Sequence, residues 1–98
     1  MAFRILFEPD AVDHLRLLTA RDRRLVVDRV EAMLATDPDI ETRNRKRPRP
    51  NPLAPWELRI GDLRVFTDVD VVSLEVRVAA IGRKTGSRLA IGGREVKL

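Results

Sequence analysis

With 98 residues, 44% of them hydrophobic and 35% charged, the chain can build one packed core in a heavily solvated exterior but no separate cofactor domain. The lack of cysteine excludes disulfides, thiolate nucleophiles and thiolate metal sites, and the lone His14 builds no metal site, so neither metal nor cofactor is expected. Net charge is +4 and unevenly spread: residues 1–42 carry six basic and nine acidic side chains (−3), residues 43–98 thirteen and six (+7). Such polarity suits a polyanion better than a neutral small molecule.

Phe3, Ile5 and Phe7 alternate with Arg4 and Leu6 in a short strand that Glu8-Pro9 ends. Acidic residues follow it at once, so the N-terminus has no signal-like or membrane-spanning run, and a cytoplasmic protein with no membrane partner is expected. Pro9 opens a helix with an Ala11, Val12, Leu15 and Leu18 stripe; a second helix carries Leu25, Val26, Val30, Met33 and Leu34 until Asp37-Pro38 stops it. The short connection between them predicts an antiparallel helical hairpin.

From Pro38 to Pro55 there is no periodicity, and Pro48, Pro50, Pro52 and Pro55 favour an extended path. This loop holds Arg43, Asn44, Arg45, Lys46, Arg47 and Arg49, five basic residues in seven. The run fits contact with nucleic acid, or else a solubilising segment. Three β patterns follow, Trp56 to Ile60, Leu63 to Val69 and Val72 to Ile81, with Gly61-Asp62 as a two-residue hairpin turn. The predicted fold is one α+β domain over 1–98, β-α-α-β-β-β. An antiparallel-rich sheet of about four strands packs a two-helix hairpin on one face, and a glycine-broken tail follows Gly82.

The turn puts Ile60 opposite Leu63, Leu58 opposite Val65 and Arg59 opposite Arg64. Pairing Val69 with Val72 would then set Arg64 against Arg77 and Phe66 against Glu75. One face, from Trp56 and Leu58 to Val76 and Val78, packs on the helices. The other carries Glu57, Arg59, Arg64, Phe66, Asp68, Glu75, Arg77 and, near the strand end, Arg83. Three arginines abreast repel one another. Either an anion such as a phosphate backbone relieves them, or Glu57, Asp68 and Glu75 form a mixed charge lattice with them. On that face Phe66 is a stacking platform or an apolar cover, Trp56 belongs to the core by parity, His14 is a surface or core-edge residue, and Gly92-Gly93 is a turn.

At Trp56-Glu57-Leu58-Arg59-Ile60-Gly61-Asp62-Leu63-Arg64-Val65-Phe66, followed by Ile81-Gly82-Arg83-Lys84, the chain resembles the RelE/ParE superfamily of type II toxin-antitoxin toxins, and the order of elements matches over essentially the whole length. The resemblance implies a small toxin neutralised by a cognate antitoxin, bound to operator DNA only through that complex. In RelE-like members it implies an endoribonuclease that cleaves mRNA on the ribosome. Arg59 and Arg64 fall on the family's strand positions, Arg83 and Lys84 on those after the glycine. Glu57 stands where the family often has a basic residue, and Ala90 where many ribonuclease members have tyrosine. A ParE-like toxin that binds DNA gyrase without chemistry, or a degenerate toxin acting only through antitoxin binding and co-repression, are the alternatives.

RNA cleaves itself when its 2′-OH attacks the adjacent phosphate, so a protein need only move protons and stabilise charge. Arg59 and Arg64 suit the charge-stabilising role, Glu57 is the nearest base, and Lys84, or else Arg83, is the acid.

Overall fold

The computed structural model describes residues 2–48 and 50–97. Strand β1 (Arg4–Phe7) leads into helices α1 (Pro9–Arg16) and α2 (Ala20–Leu34), and strands β2 (Arg45–Lys46), β3 (Trp56–Ile60), β4 (Leu63–Asp70), β5 (Glu75–Thr85), β6 (Arg88–Ile91) and β7 (Arg94–Val96) follow. Fold class and helical hairpin agree with the sequence, but the sheet has seven strands among the described residues, in the order β2-β3-β4-β5-β6-β7 with β1 parallel to β5. The tail expected after Gly82 is in fact the end of β5 and the β6–β7 hairpin.

Local chemistry sets the helix ends. Pro9 occupies the first turn of α1, and Thr19 caps α2 by accepting from the Asp22 amide at 3.1 Å. Carbonyls at the two C-termini are met by arginines: Arg23 donates to Leu15 in the last turn of α1 and to Leu18 just after it, and Arg45 to Met33 in the last turn of α2 and to Thr36 and Asp37 beyond it. Ala11, Val26, Val30 and Leu34 then meet Leu58, Ile60, Leu63, Val65, Val76, Val78 and Ile81 in the main core.

The β3–β4 register is as expected, Ile60 on Leu63 and Arg59 on Arg64, because Gly61 at φ +59° closes the turn. The β4–β5 register is not. Asp70 Oδ1 accepts from the amides of Val72 and Ser73, Leu74 sits at φ +54°, and the turn therefore holds four residues, 71–74, so that Asp70 faces Glu75. Arg64 consequently opposes Gly82 and Phe66 opposes Ala80.

A bulge completes the shift. Phe66 pairs with Ala80 but Thr67 with Val78, which leaves Ala79 as an extra residue in β5. Val76 and Val78 face the helices, and so does Ile81, an odd-numbered position that uninterrupted alternation would turn outward. Downstream, Arg83 lies on the helix side and Lys84 on the far side, the reverse of the expected parity. Past the end of β1, the Ile81 amide donates to His14 Nδ1 at 3.1 Å, making His14 a clamp at the core edge that ties α1 to β5.

Candidate functional site

The sheet face turned from the helices is partly roofed. Phe66, only 1% exposed, packs there with Ala54, Ala80, Leu89 and Ile91, against Leu53, Ala79 and Val96. This second core fastens the end of the proline-rich loop to the β6–β7 hairpin. Beside it lies a cleft of about 880 Å³. The loop lines it through Pro48, Pro50 and Asn51, the sheet through Glu57, Arg59 and Lys84, and the hairpin through Ser87, Arg88, Leu89, Glu95, Val96 and Lys97.

Glu57 is the hub of the floor. Although charged, it is 8% exposed, with Oε2 3.5 Å from Arg59 Nη2 and Oε1 3.3 Å from Arg64 Nε. One carboxylate thus offsets the repulsion between two directly opposed guanidinium groups. Arg64 is held further by Nη1 donating to the carbonyls of Gly61 and Leu63 at 2.8 and 2.9 Å. Its Nε, close to Glu57 but poorly aligned, is buried without a hydrogen bond. Arg59 is the freer of the two, with 44% of its side chain exposed against 14% for Arg64. Lys84 is exposed and, among the described residues, makes no ion pair.

Several expected members stand elsewhere. Arg77 does not join the row: it opposes Asp68 and pairs with Glu75 at 3.3 Å, near the β4–β5 turn, because the longer turn moves the register. Arg83 bonds Asp22 Oδ2 at 2.6 Å and Asp62 Oδ2 at 2.7 Å on the helix side of the sheet. The bond from Arg83 lowers the Asp62 carboxyl below its ordinary value, and the bonds to Asp62 and then Asp22 raise the Arg83 guanidinium. Phe66 is no stacking platform, since it lies beneath the second core.

The basic run does not form one patch, because β2 sorts it by parity. Arg45 pairs with Leu58 and turns inward to the end of α2, whereas Lys46 pairs with Glu57 on the cleft face. Arg47 lies over the Trp56 ring at 5.3 Å, the Asn44 carbonyl accepts from the Arg59 amide at 2.7 Å, and Arg43 is exposed. Arg49 lies outside the described residues. Ala90 pairs with Arg83, which directs it to the helix side, away from Lys84. The cleft residues of the hairpin, Ser87 to Leu89 and Glu95 to Lys97, were missed. The alternation of Arg88-Leu89-Ala90-Ile91 before Gly92-Gly93 is the signal that marks them.

An exposed Lys84 and half-exposed Arg59 over a buried carboxylate can take an anion, with Glu57 able to accept a proton beside it. No protein-family model matches the chain, and no curated protein matches it. Among solved structures it is similar to a chain of the RelBE2 toxin-antitoxin complex from Mycobacterium tuberculosis, with a TM-score of 0.75 and 20% identity over 86% of this chain and 93% of that one. The two chains share a fold.

Proposed function

We propose that this protein is a RelE-like toxin of a type II toxin-antitoxin system, a ribosome-dependent endoribonuclease that cleaves mRNA by directing its 2′-OH onto the scissile phosphate. The observation that carries the reading is the Glu57–Arg59–Arg64 floor beside Lys84, which makes no ion pair among the described residues, in a cleft on a fold shared with a chain of a toxin-antitoxin complex. Arg59 forks onto the phosphate oxygens, Arg64 fixes Glu57 from below, Glu57 takes the 2′-OH proton, and Lys84 protonates the leaving 5′ oxygen. Arg83, engaged by two carboxylates, is left out of the chemistry. A basic cleft of this kind is blocked by an acidic or amphipathic segment that folds on contact, which fits a cognate antitoxin; operator DNA is then met only through that complex, and the toxin acts in the cytoplasm.

A second reading, a ParE-like toxin that binds DNA gyrase without chemistry or a degenerate one acting only through its antitoxin, is favoured by one observation. Glu57 already pairs with both strand arginines, and the chain has no tyrosine. Mapping mRNA ends during growth arrest by the induced chain decides between them. New 5′ ends within translated codons, absent in Glu57→Gln and Arg59→Ala, are expected. Intact message with gyrase-linked DNA damage, or no arrest, overturns the nuclease.

A further inference from the structure

We infer that the cleft contains a slot for one unpaired nucleobase, bounded by Pro48 and Pro50 of the loop and by Leu89 and Val96 of the hairpin. Single-stranded RNA is then held by a phosphate on Arg59 and Lys84 with its neighbouring base inserted in the slot. This rests on the RNA-directed reading and specifies how the site grips its substrate.

A phosphate alone needs cations and little space. The cleft, at about 880 Å³, has the size of a pocket for a small organic ligand, and much of its lining is aliphatic. Pro48, Pro50, Leu89 and Val96 come from two segments distant in sequence, yet both border the Glu57, Arg59 and Lys84 floor. The second core fixes that convergence, since Leu89 is buried in it and Val96 packs against it. A nucleobase beside its own phosphate matches this combination: an apolar π-face for the aliphatic walls and an anion for the floor. Ser87 and the exposed Arg88–Glu95 pair, 3.6 Å apart, also line the cleft and offer donors and acceptors to base edges. The aromatics of β3 and β4 are committed elsewhere, Trp56 under Arg47 and Phe66 within the second core. A base must leave its stack to enter, so duplex is excluded.

The test uses the full chain without ribosomes and a short single-stranded RNA carrying 2-aminopurine, with 2′-deoxyribose at the scissile step to prevent cleavage. A matched oligomer lacks that base, and a third probe is an acidic amphipathic peptide. The base-bearing oligomer should change its emission on binding and bind at least tenfold more tightly than the abasic one. Pro48→Ser and Val96→Ser should remove most of that difference, with wild-type melting as the check that the second core, on which Val96 also packs, is intact; Leu89, buried in that core, is avoided. Equal, salt-sensitive binding of both oligomers, or of duplex, refutes the slot and leaves the RNA reading standing. No salt-sensitive binding of either refutes the slot, whereas the ribosome-dependent reading stands or falls by the mapping of mRNA ends. If only the peptide is weakened by the two substitutions, the slot belongs to a protein segment and the inference falls.

Discussion

Arg83 Nη2 donates to Asp22 Oδ2 at 2.6 Å, tying the end of β5 to the first turn of α2, while Nη1 reaches Asp62 Oδ2 in the β3–β4 turn. The helical hairpin and the tip of the sheet are therefore joined through one guanidinium. Arg83→Met should lower stability by about 1 kcal/mol, as expected for a partly exposed pair, and leave cleavage per folded molecule unchanged. A loss of cleavage beyond the unfolded fraction would return Arg83 to the chemistry.

The same clasp sets an acid response. The Asp62 carboxyl is held below the ordinary 3.8 by the hydrogen bond from Arg83, and Asp70 below 3.8 by bonds to the amides of its turn, that of Ser73 foremost. A depressed folded value stabilises above the unfolded value and is lost as pH falls through the folded one, so both contributions should fade below about pH 3.8. Carboxyl shifts followed by NMR should titrate below 3.8 for both, and in Arg83→Met that of Asp62 alone should move up. An unmoved Asp62 midpoint would show that Arg83 is not its partner in solution.

Neighbouring basic residues of β2 should behave as opposites. Arg45→Ala strips the donor from three carbonyls at the end of α2 and just past it and should cost about 2 kcal/mol, seen as a lower denaturant midpoint. Lys46→Ala, on the cleft face, should leave that midpoint unchanged and reduce the salt slope of RNA binding by about 1. Equal stability losses would contradict the alternation.

Phe66→Ala should cost about 3–5 kcal/mol by emptying the second core, and should loosen the β6–β7 hairpin before the helices. Hydrogen exchange is the readout: early loss of protection at the β6 amides is expected, and uniform loss would mean that the two cores are one cooperative unit.

Gly82→Ala should detach β6 through a steric clash. A Cβ there would lie 2.5 Å from the Ala90 carbonyl oxygen and 2.7 Å from Ile91 Cγ1. The backbone cannot yield without losing the Gly82–Ile91 pairing, so about 2 kcal/mol of destabilisation is expected. Wild-type melting in the variant would show that the strands are further apart.

The β3–β4 hairpin was legible because a two-residue turn leaves one register, and with it the opposition of Arg59 and Arg64. The next hairpin departs from its expected register because Val72 looks like a strand residue, yet it is 92% exposed in a turn closed by Asp70. Hydrophobicity there outweighed turn chemistry. Alternation places Phe66 on the correct face, but its burial depends on the β6–β7 hairpin, and long-range packing of that kind leaves no local periodicity. The basic loop was taken as a whole, although a strand of two residues is enough to split it. The mixed charge lattice was legible as one of two alternatives for this face, and Glu57 with Arg59 and Arg64, and Glu75 with Arg77, make it.

Which cation faces the cleft in this molecule is decided by chain length and not by residue type. The single unmatched position at Ala79 shifts the phase of everything after it, placing Lys84 in the cleft and Arg83 against α2. Removing that one alanine would exchange a mobile ammonium for a planar fork at the mouth of the binding surface and expose Ile81 in the same stroke. Relatives of this chain that differ by one residue in this strand would present a different electrostatic signature with an otherwise identical alphabet.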